Sequence, residues 1–430
     1  MKYVLVGSGV AAIAAAEGIR KFDAKGKILM VTEEDVPTYG RPLISYFLAG
    51  KIGPEKLWLR PKEFYRERGV EMKLKTRIVG LDAKAKSITT ESGKKISYDR
   101  LLLATGGKPF IPPIENLEGP DVYCFTTLAH AEALKAATKG LKQAVVVGGG
   151  MIGLKAAEGL AGQGVSVSVV ELAPRVLSAA MDEISGNLLA RRLEEAGVKI
   201  LCKVSAKKIM RAKGAKVQGV VLSNRKSIPA QAVVVAVGVV PNADLAKAGG
   251  IQVGRGVVVN EFLQTSDPSV YAAGDLAEVR DMLTGEAMVI PIWPNAYSQG
   301  HYAGKNMAGA KVPYPGSLPM NSIAFFGLPT ISVGIVNPKD GQGFEVVKEL
   351  DEENQTYRKL VFRKNKLVGY VLVSDVDLAG LYTGFVRFSL PVDEKIKEKL
   401  IHGEPSALLW PDEFFSRQWN PAAATALGSI

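Results

Sequence analysis

Cysteine and histidine are scarce in this chain. Its 430 residues include two cysteines, Cys124 and Cys202, and three histidines, His130, His301 and His402. Neither cysteine belongs to a C-x-x-C pair, which leaves no zinc ribbon, iron–sulfur site or thioredoxin-type redox motif. Two thiols also cannot staple a small secreted scaffold. Three scattered histidines argue against a multi-histidine centre, and no metal is expected. Long apolar runs are missing too. The longest beyond the N-terminus, Ala232 to Val240, falls far short of the ~20 residues that cross a bilayer. The opening stretch has the outline of a signal peptide, but its glycines fall at a spacing with a different explanation. A cytoplasmic protein with no membrane span is expected.

What is present is ordinary for globular chains: 47% hydrophobic and 23% charged residues, with 45 glycines and 23 prolines. At roughly 150 residues per domain the length suggests three domains. Net charge is +11, and nine basic residues with no acid lie between Lys199 and Lys226. No nucleic-acid-binding motif accompanies them, so nucleic acid is not an expected partner. Two readings remain, a solvated lysine-rich edge or a docking surface for an acidic electron carrier.

One unit occurs twice. Residues 2–6 read as a strand, Gly7-Ser8-Gly9-Val10-Ala11-Ala12 as a turn, and the run through Lys21 as a helix. A second strand, Ile28 to Val31, follows and leads to Glu33. Residues 143–147, the turn Gly148-Gly149-Gly150-Met151-Ile152-Gly153, a helix to Gln163 and a strand over 166–170 leading to Glu171 repeat the plan. A single G-x-G-x-x-G is weak evidence. Two copies, each between strand and helix and each followed by an acid about 20 residues on, specify two dinucleotide sites. The first glycine (Gly7, Gly148) permits the tight turn, and the second (Gly9, Gly150) admits a pyrophosphate. The third position (Ala12, Gly153) keeps helix and strand close. The phosphates would rest on a helix N-terminus. Glu33 and Glu171 would accept hydrogen bonds from ribose 2′-hydroxyls, and a 2′-phosphate facing Glu171 would be repelled, which favours NADH over NADPH.

Two such sites in this order resemble the two-dinucleotide-binding flavoproteins, the pyridine nucleotide–disulfide oxidoreductase family. Three further stretches carry the resemblance. Leu101 to Gly106 is similar to the strand that closes the FAD domain, with Ala104, Thr105 and Gly106 at the cofactor. Val235 to Asn242 is similar to the return segment, with Gly238 on the NAD side. Thr265 to Asp275 is similar to the second FAD motif, in which Gly274 and Asp275 meet the ribityl chain. The resemblance implies an α/β chain with two Rossmann-like domains and a C-terminal α+β interface domain. FAD would be held by residues 1–112 and 243–318, including Ala11. NAD(H) would be held by the inserted residues 113–242, including Met151 and Ile152. Residues 319–430 would form the interface domain of a homodimer or hetero-oligomer, with strands over 323–326, 330–334, 359–362 and 367–373.

Where thiol-using members of that family carry a cysteine, this chain has Pro42. The stretch from Tyr39 to Gly50 instead resembles the Y-x-R-P-x-L-S-K motif of ferredoxin and rubredoxin reductases, which implies that Arg41 and Pro42 line the flavin. Two residues depart from the pattern: the motif's lysine is Tyr46, and the glutamate after the second glycine loop is Lys155. Their ion pair is therefore absent, and Lys155 is expected to direct a cation toward the flavin or nicotinamide. Pro291 to Gly300 resembles the start of a helix beneath the flavin, with Ala296 at the cofactor and Trp293 either covering the flavin or filling the core. The expected activity is FAD-dependent electron transfer between NAD(H) and an acidic iron–sulfur or rubredoxin-like protein, also as the NAD-coupling subunit of an aldehyde- or oxoacid-oxidising complex. A flavin-only NADH oxidase and a flavin-bound NADH-sensing scaffold are the alternative readings. The aromatic stretch Pro405 to Trp419 reads as an interface anchor or as packing onto the chain's own FAD domain.

Overall fold

Two parallel five-stranded sheets repeat a single plan. The computed structural model describes residues 1–212 and 215–403. In the first sheet β1 (Lys2–Val6) leads into α1 (Val10–Arg20) and β2 (Lys27–Val31). After α2 (Ile44–Leu48) come β3 (Val70–Lys73) and β4 (Arg100–Leu103). The chain then leaves to build the second sheet from β5 (Val122–Cys124), β6 (Gln143–Val147), β7 (Ser166–Val170), β8 (Lys199–Leu201) and β9 (Ala232–Val235). With them go α3 (Leu128–Ala137) and α4 (Met151–Ala161), while α5 (Glu183–Glu195) lies between β7 and β8 in the chain. It returns to add β10 (Val270–Ala272) to the first sheet, followed by α6 (Trp293–Met307).

Strand order is β10-β4-β1-β2-β3 in the first sheet and β8-β7-β6-β9-β5 in the second, every pair parallel. The near-continuous Val/Leu/Ile runs of the central strands follow from this, because a parallel sheet is covered on both faces. The two crossings between the halves, residues 107–109 and 239–241, pair antiparallel. α1, with five alanines among its 11 residues, lies against α6 at backbone distance. A Cβ on Gly300 or Gly304 would run into the carbonyls of Ala11 and Ala15.

Contacts divide the chain into two units, one of Met1–Pro174 with Glu194–Ser317, the other of Arg175–Leu193 with the chain from Leu318 on. Residues 175–193, expected with the NAD(H)-binding span, thus group with the C-terminal unit. That unit is an antiparallel sheet ordered β11-β12-β15-β14-β13, from β11 (Met320–Phe325), β12 (Leu328–Gly334), β13 (Glu345–Asp351), β14 (Thr356–Phe362) and β15 (Leu367–Val373). Helices α7 (Ala379–Phe388) and α8 (Glu394–His402) follow. The buried Asp182 explains the grouping: it accepts from Tyr357 Oη at 2.6 Å and pairs with Lys359 at 3.1 Å. No helix among the described residues is long and apolar enough to cross a membrane.

Candidate functional site

The two glycine loops superimpose in their bonding. Gly7 N–H donates to Val31 O and Gly148 N–H to Val170 O, both at 2.8 Å. Gly7 has φ +113° and Gly148 φ +112°, a region that L side chains rarely adopt. A Cβ on either would strike a carbonyl, that of Ala104 or Ala236. Gly9 and Gly150 are the N-caps of α1 and α4, with no side-chain cap, and a Cβ there would meet no atom within 4 Å. Each loop is therefore a tight turn that opens onto the unfilled N–H groups of a helix, the arrangement that binds a pyrophosphate. Met151 and Ile152 are half-buried at the start of α4, while Ala12 and Gly153 are buried.

The strand-end acids are not equivalent. Glu171 follows β7 directly and its N–H donates to Leu201 O; the residue in that position after β2 is Thr32, whose N–H donates to Lys73 O. Glu33 lies one residue further on. Its side chain is 64% exposed and reaches toward Arg77 at 3.7 Å; by strand register the position that matches Glu171 is Thr32. The motif's spacing tolerates a shift of one residue, and only the strand register resolves it. Thr32 Oγ1 accepts from the Ser8 hydroxyl at 3.0 Å, both residues buried. Glu171, in contrast, accepts from Gly149 N–H at 2.5 Å and Ala173 N–H at 2.6 Å, which fixes a carboxylate at the second loop.

Gly274, φ +84°, is flanked by Ala11 and Ala296 and brings the second FAD motif against the first. Burial pushes the Asp275 carboxyl above its ordinary range, and Arg41 pulls it partly back. A carboxylate so placed is short of donors, which ribityl hydroxyls would supply. Behind it stands a residue that motif reading passed over. Gln299, 1% exposed on α6, accepts from Gly274 N–H at 2.7 Å and donates to Ser317 Oγ at 3.0 Å. Its signal was a glutamine on a buried helix face between Ala296 and Ala303. Ala104 is buried, Thr105 donates to Asn242 O at 2.8 Å, and Gly106 accepts from Asn242 N–H at 2.9 Å, so these residues tie the outgoing crossing to the return. Gly238 (φ +119°) is open on its Cβ side. Trp293 opens α6, is 38% exposed and stacks on Tyr297 with centroids 6.2 Å apart, which rules out the core-filling alternative.

Arg41 and Pro42 form a single 3-10 turn with Leu43 and are exposed. Arg41 pairs with Glu34 and donates to Thr126 O at 3.0 Å. The expectation of an unpaired Lys155 is overturned: its side chain is 12% exposed and pairs with Glu158, three residues along α4. The ammonium lies 5.2 Å from the centre of the Tyr46 ring. A lysine and a glutamate thus still meet here, both supplied by one helix.

The basic run is only partly available to a partner. Lys208 pairs with Glu115 at 2.5 Å, and Arg211 donates to the carbonyls of Asn116, Leu117 and Pro120. Lys203, Lys207, Lys216, Arg225 and Lys226 are exposed. Lys213 and the aromatic stretch 405–419 lie outside the described residues.

A family model described as pyridine nucleotide-disulphide oxidoreductase matches residues 1–300, and one for the rubredoxin NAD+ reductase C-terminal domain matches residues 319–387. The chain is 34% identical over 401 residues to nitrite reductase [NAD(P)H] of Bacillus subtilis, covering 93% of this chain and 48% of that protein. It therefore spans about half the length of that relative. It is 34% identical over 367 residues to the epsilon subunit of NADH-dependent phenylglyoxylate dehydrogenase of Aromatoleum evansii, covering 84% and 85% of the two chains. Among solved structures it is similar to the ferredoxin reductase for the CYP199A2 system of Rhodopseudomonas palustris, with a TM-score of 0.84, 29% identity, and 92% and 98% of the chains covered.

Proposed function

The chain belongs to the pyridine nucleotide-disulphide oxidoreductase family, and within it we propose an electron-transfer flavoprotein that moves electrons between NAD(H) and an iron–sulfur or rubredoxin-like protein. It is an oxidoreductase that uses FAD and NAD(H). The observation that carries the reading is the pair of matched, uncapped glycine loops in one unit, with Pro42 where thiol-using members have a cysteine.

In this reading Gly7, Gly9 and α1 hold the FAD pyrophosphate, while Gly274 and Asp275 hold the ribityl chain. Arg41, Pro42, Trp293 and Ala296 line the ring system. Gly148, Gly150, Met151, Ile152 and Gly153 hold the NAD(H) pyrophosphate, Gly238 faces the nicotinamide end, and Glu171 selects the ribose that lacks a 2′-phosphate. Bound FAD supplies a two-electron acceptor that can release electrons singly. The protein's part is orientation and exclusion of water, with no proton-transfer residue required. The acceptor is acidic, drawn by exposed lysines such as Lys203 and Lys207. The similarity to a subunit of a larger NADH-dependent dehydrogenase supports a role as an NAD-coupling subunit, in the cytoplasm where NAD(H) turns over. Anaerobic titration with NADH tests this. Bleaching of the flavin band, followed by reoxidation by a ferredoxin or rubredoxin, is expected. Fast reoxidation by oxygen with none by either carrier would sink it in favour of a flavin-only oxidase.

A further inference from the structure

Residues 39–51 of the FAD half form a clasp on the NAD half. Tyr39 Oη accepts from Leu128 N–H at 2.9 Å. Lys135 donates to the Phe47 carbonyl at 2.8 Å and lies 3.9 Å from the centre of the Phe47 ring. Leu48 of α2 packs beneath Gly159 of α4, where a Cβ would displace it. α2 is a helix of 5 residues, too short to persist without such partners.

At the middle of this seam sits a charge that the chemistry proposed above does not use. Glu158 is 6% exposed. It pairs with Lys155 on its own helix and, across the seam, with Lys51 at 3.4 Å. Both ammonium groups face the ring of Tyr46, at 5.2 and 5.9 Å from its centre. A carboxylate this buried costs several kcal/mol unless it is paired, so carboxylate, cations and ring hold one another in a single arrangement. The helix that carries Glu158 starts at Gly150, on the NAD(H) loop, and the helix that carries Tyr46 starts beside the Arg41–Leu43 turn. A displacement along this seam would shift one loop against the other.

We propose that Glu158 is a positioning residue which, through Lys51 and through Lys155 over Tyr46, sets the alignment of the two dinucleotide sites for hydride transfer. The inference rests on the reading that NADH reduces bound FAD. In that step the nicotinamide C4–H bond breaks and its electron pair and hydrogen pass to the flavin, leaving NAD+. Alignment is a sensitive quantity: a misplacement of about 1 Å can cost roughly 10²-fold in rate.

The test is anaerobic stopped-flow reduction of the FAD-loaded full chain by NADH, with Glu158→Gln and Lys51→Met beside the parent. Two further readouts are the long-wavelength absorbance of nicotinamide stacked on flavin and the equilibrium affinity for NAD+. Glu158→Gln is expected to slow reduction by roughly ten- to a hundredfold and to weaken that absorbance, with NAD+ affinity within about threefold of the parent. Lys51→Met, which keeps the Lys155–Glu158 pair and changes an exposed side chain, is expected to move both in the same direction by less. It carries the test if Glu158→Gln does not fold. Parent-like absorbance and rate in the folded variants, with or without lower thermal stability, would overturn the proposal. A parent enzyme that NADH fails to bleach would overturn both the proposal and the reading beneath it.

Discussion

The FAD half and the NAD half place Val6 and Val147 at equivalent points of their two sheets, and each valine is followed by a left-handed glycine against a carbonyl. Their fifth strands differ in origin. β5 precedes the second loop in the chain, whereas β10 returns to the first sheet after the whole second half has been made. They also differ in what stands behind the loop. The first has a hydroxyl pair, Ser8 and Thr32, and the second has the carboxylate of Glu171 clamped by two N–H groups. Backbone shape is therefore common to both halves, a tight glycine turn ahead of a helix N-terminus. The difference lies in the side chain one residue past the strand.

The severest way to break the comparison is to place a Cβ on either first glycine. Gly7→Ala and Gly148→Ala should each cost about 3 kcal/mol or more, from the left-handed backbone and the carbonyl clash together. The expected split is that Gly7→Ala purifies without flavin, while Gly148→Ala keeps its flavin but loses NAD+ binding. Flavin content and NAD+ titration check this, and flavin lost equally from both would show that the halves do not act separately.

Replacing the carboxylate at the second loop sharpens the contrast. Glu171→Ser should weaken NADH binding by roughly tenfold, about 1.4 kcal/mol, and narrow the preference over NADPH. Equilibrium titration with both dinucleotides reads the ratio directly, and an unchanged ratio would remove Glu171 from selectivity.

The next contrast is Gln299, which stands behind Gly274 in the FAD half. Gln299→Leu leaves the Gly274 N–H without its acceptor, at about 1–3 kcal/mol, while the Ser317 hydroxyl keeps Tyr314 Oη at 2.9 Å. FAD affinity of the stripped protein should fall while NAD+ affinity stays. Equal loss of both would mark a general stability defect.

The smallest expected effect is a pH dependence confined to the first half. The folded Asp275 carboxyl titrates above its unfolded value, so between those two values the folded FAD-free chain holds a proton that the unfolded chain has released. Its stability therefore falls as pH rises through that window, and the loss is complete above the folded value. Asp275→Asn should flatten this part of a melting-temperature profile of the FAD-free protein and leave the rest unchanged.

Much of this was legible in one dimension. Strands over 2–6, 143–147 and 166–170 match their structural bounds because parallel strands buried on both faces are written as unbroken apolar runs between turn residues. The strand pair around Arg363 to Lys366 was also readable, and its turn places Lys364 and Asn365 at positive φ. β13 was missed, being a charged strand with most of its residues exposed and little apolar alternation. The site divided along the same line. Glycine positions were readable because backbone shape dictates them. Thr32, Gln299 and Glu158 were not, because each acquires its role from a partner on another strand or from a helix packed against it.

The amino-acid order alone determined the two tight glycine turns, each at the start of a helix, and that no thiol stands at Pro42. These are local matters of turn geometry and residue type. Only the tertiary structure decided that Thr32 rather than Glu33 holds the register position matching Glu171, that Lys155 is paired with Glu158, and that residues 175–193 group with the C-terminal sheet. Strand register, burial and ion pairing are properties of neighbours that are distant in the chain, and no spacing rule encodes them.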